Sequence, residues 1–139
     1  MEWATNSADE TFLLGHQVLA HIQRGDKLFF SGPLGVRKTL LVSGIVAAAG
    51  GDWRDVASPT YGLISEYQTP TGLIIHADLY RLGCPEDVYD LGLDNLPSEA
   101  TICVEWAERA QGLLGSGDWI VTFRETGPES RQISLDPYS

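Results

Sequence analysis

The clearest candidate for chemistry in this chain is a glycine-containing loop that ends in a lysine and a threonine. Residues 29–39 read FFSGPLGVRKT, so an apolar run leads into the loop and the loop leads into a helix-forming segment. This order approximates the phosphate-binding pattern G-x-x-x-x-G-K-[ST], in which successive backbone N–H groups converge on phosphates at a helix N-terminus. Lys38 would contact the β- and γ-phosphates of a nucleotide, and the Thr39 hydroxyl would contact Mg²⁺. The rest of the nucleotide-binding cradle would be formed by Gly32, Gly35, Val36 and Arg37.

Arg37 is the departure from this pattern, because it stands where the second glycine is expected. Glycine suits that position since the backbone must approach the phosphates closely and can need a dihedral that a Cβ resists. If the loop requires a positive φ at Arg37, we expect backbone strain of about 1–3 kcal/mol. The phosphate-binding pattern is recognisable, and whether the loop can bind phosphate depends on how Arg37 is accommodated.

Two acidic residues follow apolar runs that are typical of buried strands. Asp78 comes after LIIHA at 73–77, and Glu105 comes after ICV at 102–104. Ligands bind at the carboxyl ends of strands in open α/β sheets, so either acid could hold Mg²⁺ or its water. The alternative is that each acid caps a turn or faces solvent. The spacing does not decide which acid meets the metal.

Three further features have both a chemical and a structural interpretation. In Ser58-Pro59-Thr60 a hydroxyl could face the γ-phosphate, but these residue types are also typical of a turn. Trp106 could stack on a base or a partner, or it could be half-buried packing. Arg81 could contact phosphate as an arginine finger, although a salt bridge is the commoner role of such a residue.

The histidines and cysteines do not form a metal-binding pattern. His16 and His21 are five residues apart on a predicted helix, which is off the i, i+4 spacing of a zinc pair, and His76 shares no metal spacing with them. Cys84 and Cys103 lie in different segments without a C-x-x-C motif, so we expect two reduced thiols.

Composition limits the classes of function. The 139 residues carry a net charge of −10 at pH 7, with Lys27 and Lys38 as the only lysines. Nucleic-acid backbones are bound through clustered lysine and arginine, so the chain should not hold RNA without a partner. The sequence shows no basic start before a long apolar segment and no run of about 20 apolar residues. We therefore expect a cytoplasmic protein with no membrane contact.

Periodicity and capping signals predict the elements that must position these groups. A capping box at 7–10 opens a helix, which Gly25 closes. A second helix over 38–49 follows the loop, and a short one begins at Pro85 and stops at Gly92. Strands are expected at 27–31, 60–67, 73–77, 101–104, 118–124 and 131–135, the second and third forming one hairpin and the last two another.

These elements indicate one α/β domain over residues 1–139, because helices and strands alternate early in the chain. The hairpins add antiparallel pairs. We therefore predict a single-domain, P-loop NTPase-like fold, with a mixed β-sheet flanked by helices.

The chain resembles the bacterial ATPases of tRNA threonylcarbamoyladenosine synthesis, the TsaE family. Four blocks carry the resemblance, in the family's order, and span nearly the whole chain. They are the loop at 32–39, SPTY at 58–61 with EY at 66–67, DLYRL at 78–82 with PE at 85–86, and VEW at 104–106 with ER at 108–109. Each block is weak alone, whereas DLYRL and VEW behind such a loop are specific.

The resemblance implies a protein that binds ATP and Mg²⁺ and hydrolyses ATP within a tRNA modification complex. It implies two partner proteins that transfer the threonylcarbamoyl group to the adenosine following the anticodon, so that tRNA is met only indirectly. By position, Lys38 and the loop amides match the phosphate ligands, and Thr60 matches a position near the γ-phosphate. Thr39 and Glu105 match the Mg²⁺ site, and the catalytic candidates are Asp78 and Glu105.

This chain departs from the family's usual loop, G-D-L-G-A-G-K-T, at two positions. Pro33 replaces an aspartate and removes a backbone donor, and Arg37 brings a long cationic side chain into the cradle. Ala107 also stands where the family usually has a proline.

Three alternative functions can be weighed against these residues. An ATPase is favoured because Lys38, Thr39, Asp78 and Glu105 are all retained. A protein-interaction module that has lost nucleotide binding is favoured by Arg37. A small-molecule kinase is disfavoured, since the seven arginines are scattered and form no lid.

Overall fold

The computed structural model describes residues 1–33, 37–56 and 64–138. Within these residues, seven strands form one sheet with the spatial order β1-β7-β6-β2-β5-β4-β3. The strands are β1 (Glu2–Thr5), β2 (Lys27–Ser31), β3 (Ile64–Thr69), β4 (Gly72–Asp78), β5 (Thr101–Glu105), β6 (Trp119–Glu125) and β7 (Arg131–Pro137).

The sheet is mixed, with a parallel centre and antiparallel margins. Strands β6, β2, β5 and β4 run parallel, while β3 pairs antiparallel with β4, β7 with β6, and β1 with β7. The helices are α1 (Ala8–His21), α2 (Lys38–Ala48) and the single turn α3 (Asp87–Asp90), with 3₁₀ turns at Trp53–Asp55 and Ala107–Ala110. The predicted α/β fold with a mixed sheet and flanking helices is confirmed.

Alternation along the strands divides the core into two layers, because successive side chains of a strand point to opposite faces. Phe30, Ile74 and Cys103 pack with α1 and α2 on one face. On the other face, Phe29 and Ile75 pack in a layer that includes Val88 of α3 and the segment around Leu93. Strand β5 is buried along its whole length between β2 and β4, as its apolar sequence predicts.

The structure corrects several predicted boundaries. Strand β1 was not predicted, since four residues carry too little pattern and β1 forms by pairing with distant β7. Helix α1 ends at His21 rather than at Gly25, which instead lies in the turn before β2 with φ 91°. The short helix predicted from Pro85 to Gly92 is only the single turn α3. The predicted start of β3 at Thr60 lies outside the described residues.

The capping box of α1 is confirmed. Ser7 is the N-cap, and its Oγ accepts a hydrogen bond from the Glu10 N–H at 3.1 Å. Glu10 reaches back one residue further than expected, where its Oε1 accepts from the Asn6 N–H at 3.0 Å. Both contacts satisfy backbone donors at the N-terminal end of the helix.

Both cysteines are free thiols, as predicted. Cys84 is exposed, and its Sγ donates to Asp87 Oδ1 at 3.3 Å. Cys103 is buried in β5, and burial raises the pKa of its thiol to about 12. Among the described residues, no helix is long and apolar enough to cross a membrane.

Helices α1 and α2 cross in close contact, because glycines face each other where they meet. A Cβ added to Gly15 would overlap the backbone of Gly44, and a Cβ added to Gly44 would overlap the carbonyl of Phe12. This contact fixes α2, and therefore the lysine at its N-terminus, relative to α1 and the sheet.

Gly44→Ala tests this contact. Helix propensity alone predicts a gain of about 1 kcal/mol in stability, because alanine is the better helix former. The overlap with Phe12 predicts a net loss of about 1–3 kcal/mol instead. The measurement is the free energy of unfolding in urea. Gly127→Ala is the control, because its Cβ would meet Ser130 at an ordinary 3.5 Å. A stabilised Gly44→Ala variant would contradict the close crossing.

Candidate functional site

Several of the predicted site residues that the structure describes lie at the carboxyl edge of the parallel strands. Strand β2, which lies in the middle of the sheet, ends at Ser31, and α2 begins at Lys38. Phe30 pairs with Glu105 on one side, and Glu105 pairs with Asp78 on the other. The two acids that the sequence placed at strand ends are therefore neighbours at the foot of the loop.

Lys38 is almost fully withdrawn from solvent, with 5% of its surface exposed. Its Nζ donates to the backbone oxygen of Gly32 at 2.8 Å, and lies 4.1 Å from the ring centroid of Trp106. Burial lowers the pKa of Lys38, while the charges of Glu105, Asp78 and Glu108 oppose this shift. An anion arriving at the loop would add to these negative charges and favour the ammonium form.

Thr39, Glu105 and His76 form a hydrogen-bonded chain beneath the loop. Thr39 Oγ1 donates to Glu105 Oε2 at 2.9 Å, and the same oxygen lies 2.6 Å from His76 Nε2. Glu105 and His76 are 4% and 0% exposed. The Nδ1 atom of His76 has no hydrogen-bond partner among the described residues.

His76 is the site residue that sequence reasoning missed. The sequence indicates only that the spacing of His76 is wrong for a metal ligand, whereas the structure shows it supporting a buried carboxylate. The available signal was a polar residue within the apolar run of β4, two positions before Asp78 and therefore on the same face of the strand.

The donor set of Thr39 and Glu105 fits Mg²⁺ bound together with a nucleotide. Both supply oxygen, which Mg²⁺ prefers, and Mg²⁺ commonly takes one or two protein groups while phosphates and waters complete its shell. Within the described residues, no group of three or more histidine, cysteine, aspartate or glutamate side chains could hold a metal alone.

Asp78 is half-buried and closes a turn, which is one of the two alternatives left open by the sequence. Its Oδ1 accepts a hydrogen bond from the Tyr80 N–H at 3.0 Å. Its charge also partly opposes the lowering of the Lys38 pKa by burial. The backbone N–H of Tyr80 therefore orients the carboxylate, and its negative charge interacts with the Lys38 ammonium.

Trp106 is half-buried and packs in an aromatic cluster with Tyr80 and Arg109. Its ring centroid lies 5.1 Å from that of Tyr80, and the Arg109 guanidinium lies 5.1 Å from the Tyr80 ring centroid and 5.8 Å from that of Trp106. The backbone of Trp106 is left-handed, with φ 60° and ψ 41°, directly after β5 ends. Such an outlier in a non-glycine residue points to a functional constraint, and here it accompanies the contact of the indole with Lys38.

Arg37 has the positive φ that makes glycine preferable. It is the N-cap of α2 with φ 73° and ψ 30°, so the strain anticipated from the sequence applies. Its guanidinium is bound elsewhere than expected, because Nη2 lies 2.5 Å from Glu129 Oε2 and Nη1 donates to the Glu129 backbone oxygen at 3.0 Å. The side chain that the sequence placed in the cradle is paired with the turn between β6 and β7.

The remaining predicted residues divide into two groups. Gly32, with φ 147°, and Pro33 lie in the described part of the loop. Arg81 is exposed and forms no ion pair with any other described residue. Outside the described residues lie Gly35, Val36 and the segment 58–61 with Thr60.

Comparison with known proteins gives a consistent result. The family model described as Threonylcarbamoyl adenosine biosynthesis protein TsaE matches residues 5–133. A TsaE protein of Rickettsia bellii is 36% identical over 109 residues, which cover 78% of this chain and 76% of that protein. A TsaE protein of Haemophilus influenzae is 36% identical over 116 residues, covering 83% and 72%.

A relative from Bacillus subtilis covers more of the chain. Its protein, named like the others tRNA threonylcarbamoyladenosine biosynthesis protein TsaE, is 31% identical over 136 residues, covering 97% of this chain and 84% of that protein. The fold is also that of the crystal structure of Bacillus subtilis YdiB, with a TM-score of 0.70 and 24% identity over 100% of this chain and 86% of that one. The family match and these relatives show that the chain belongs to the TsaE family of tRNA threonylcarbamoyladenosine biosynthesis.

Proposed function

We propose that this chain binds Mg²⁺ and ATP and hydrolyses ATP as an accessory protein of the complex that makes threonylcarbamoyladenosine in tRNA. The observation that carries the proposal is the contact between Thr39 Oγ1 and Glu105 Oε2 at 2.9 Å. It joins the hydroxyl that follows the loop lysine to the acid at the end of β5, as a nucleotide–Mg²⁺ site requires.

Binding would depend mainly on the loop and on Lys38. The ammonium has exchanged water for one loop carbonyl and an aromatic ring, so it can bind phosphate oxygens at little further cost in desolvation. Gly35, Val36 and Arg37 would contribute backbone N–H groups, and Thr60 would lie near the γ-phosphate. Thr39 and Glu105 would hold Mg²⁺, which supplies positive charge against the phosphates.

Hydrolysis needs a water placed in line with the γ-phosphate. The water oxygen forms a bond to the γ-phosphorus, the bond from that phosphorus to the bridging oxygen breaks, and ADP leaves with the electron pair. We assign the orientation of this water to Asp78, with Glu105 as the second catalytic acid. The water proton passes to solvent or to a carboxylate, and the products are ADP and inorganic phosphate.

The net charge of −10 supports an indirect role towards tRNA. A chain this acidic is repelled by a phosphate backbone, so the tRNA would be held by partners rather than by this protein. We assign it two partners, the proteins that transfer the threonylcarbamoyl group, and we propose that the assembly is cytoplasmic.

A second candidate is a protein-interaction module that does not bind nucleotide. The observation that favours it is the left-handed φ of 73° at Arg37, together with Pro33, which has no N–H to offer a phosphate. The buried Lys38 and the Thr39–Glu105 contact favour the ATPase, because an inactive site needs neither.

Lys38→Ala tests nucleotide binding. We expect the affinity for ATP, measured by calorimetric titration in Mg²⁺, to fall by about ten- to a hundredfold, since a charge-assisted hydrogen bond contributes about 1.5–3 kcal/mol. Lys27→Ala is the matched control, because it removes the other lysine, whose Nζ bonds to the Leu114 backbone oxygen away from the loop. Equal binding by the Lys38 variant and the unchanged chain would rule out the assigned role of the loop.

Asp78→Asn tests turnover. Asparagine keeps the acceptor for the Tyr80 N–H and removes only the charge, so ATP affinity should change by less than about fivefold, which corresponds to about 1 kcal/mol. We expect the rate of phosphate release by the complex reconstituted with both partners to fall about 100-fold or more. Asp90→Asn, an exposed acid in α3, should leave the rate unchanged. Loss of binding rather than of turnover would place Asp78 among the ligands instead.

A further inference from the structure

The contact between Arg37 and Glu129 ties the phosphate-binding loop to a distant turn. The two residues are 92 positions apart, and both the side chain and the backbone oxygen of Glu129 accept from the guanidinium. The proposed hydrolysis makes no use of Glu129. The role of this contact must therefore be explained separately from the hydrolysis.

The turn that carries Glu129 is held from inside the protein. Arg131 is 5% exposed, and its Nη1 donates to the backbone oxygens of Gly127 at 3.1 Å, Pro128 at 3.4 Å and Ser130 at 2.9 Å. One buried guanidinium thus binds the carbonyls on both sides of Glu129. Glu129 is presented from a braced turn, although its own side chain is 70% exposed.

Arg37 needs such an external contact. Its left-handed backbone is unfavourable for any residue with a Cβ, and as the N-cap of α2 it makes no side-chain capping hydrogen bond. Its guanidinium side chain is only 17% exposed while it is paired with Glu129. The arginine is therefore kept in place by a tertiary contact and not by local helix chemistry.

We propose that Glu129 is a positioning residue of the nucleotide site. By binding the guanidinium, it stabilises the left-handed Arg37 backbone and keeps that cation out of the phosphate cradle. The pair thereby stabilises at Arg37 the left-handed backbone conformation that a glycine at this position would adopt without such support. The inference rests on the proposed binding of ATP, and it concerns the geometry of the loop before ATP arrives.

Glu129→Gln should change the affinity for ATP in the direction opposite to that expected from the change in charge alone. Removing an acid near an anion site normally strengthens anion binding, because a like charge is lost. Glu129→Gln should instead weaken it, since the loop loses its support. The effect should vanish in an Arg37→Gly background, where the left-handed conformation needs no support.

The test combines two measurements on the full chain. Without nucleotide, we expect hydrogen exchange of backbone amides at 37–41 to be about two- to fivefold faster in Glu129→Gln, the fold-change that exposed ion pairs produce. With ATP and Mg²⁺, we expect affinity to fall by about the same factor in Glu129→Gln, and to be equal in Arg37→Gly and the Arg37→Gly/Glu129→Gln double variant.

Glu125→Gln is the control, because it removes the same charge from an exposed position on the same hairpin without touching Arg37. Unchanged amide exchange in Glu129→Gln would overturn the proposal, and so would tighter ATP binding, which would mean that Glu129 competes with phosphate for Arg37. If no variant binds ATP, the proposed function fails, while the exchange rates still decide whether Glu129 positions the loop.

Discussion

Parallel pairing of β4, β5 and β2 is the constraint on which the site depends. The register sets Asp78 opposite Glu105 and Glu105 opposite Phe30, so the acids end level with the start of the loop. A slip of β5 by one residue would turn the Glu105 side chain towards the opposite layer of the core, away from α2. The close crossing of α1 and α2 fixes the other half of the site, because it sets where Lys38 and Thr39 begin the helix.

The site combines a buried network of side-chain hydrogen bonds with the left-handed backbone at Arg37. Glu105 is withdrawn from solvent and bonded to Thr39 and His76, so its position does not depend on mobile surface groups. Arg37, which precedes Lys38 in the chain, and Trp106, whose ring lies against the Lys38 Nζ, both adopt left-handed backbone conformations. Unfavourable conformations of this kind persist where the surroundings impose them, as the Glu129 turn and the aromatic cluster do here.

Local patterns predicted much of this architecture. The capping box of α1, the start of α2 at Lys38 and the burial of β5 each follow from a few neighbouring residues, and each is confirmed. The resemblance of four short blocks indicated the family, which the comparisons confirm. The features that could not be predicted depend on contacts between residues that are far apart in the sequence. Strand β1 forms on β7, His76 supports Glu105 from another strand, and Arg37 meets Glu129 across 92 residues, so no local window contains both partners.

We propose that the loop binds nucleotide although arginine occupies its glycine position. The most direct measurement is calorimetric titration of Mg²⁺ and ATP into the unchanged chain beside its Arg37→Gly variant. Because Glu129 holds the arginine side chain, we predict that both proteins bind with dissociation constants within about tenfold of each other, a difference of about 1.4 kcal/mol. Binding by the variant alone would contradict the account and leave this chain as a TsaE-family member whose loop is disabled by Arg37.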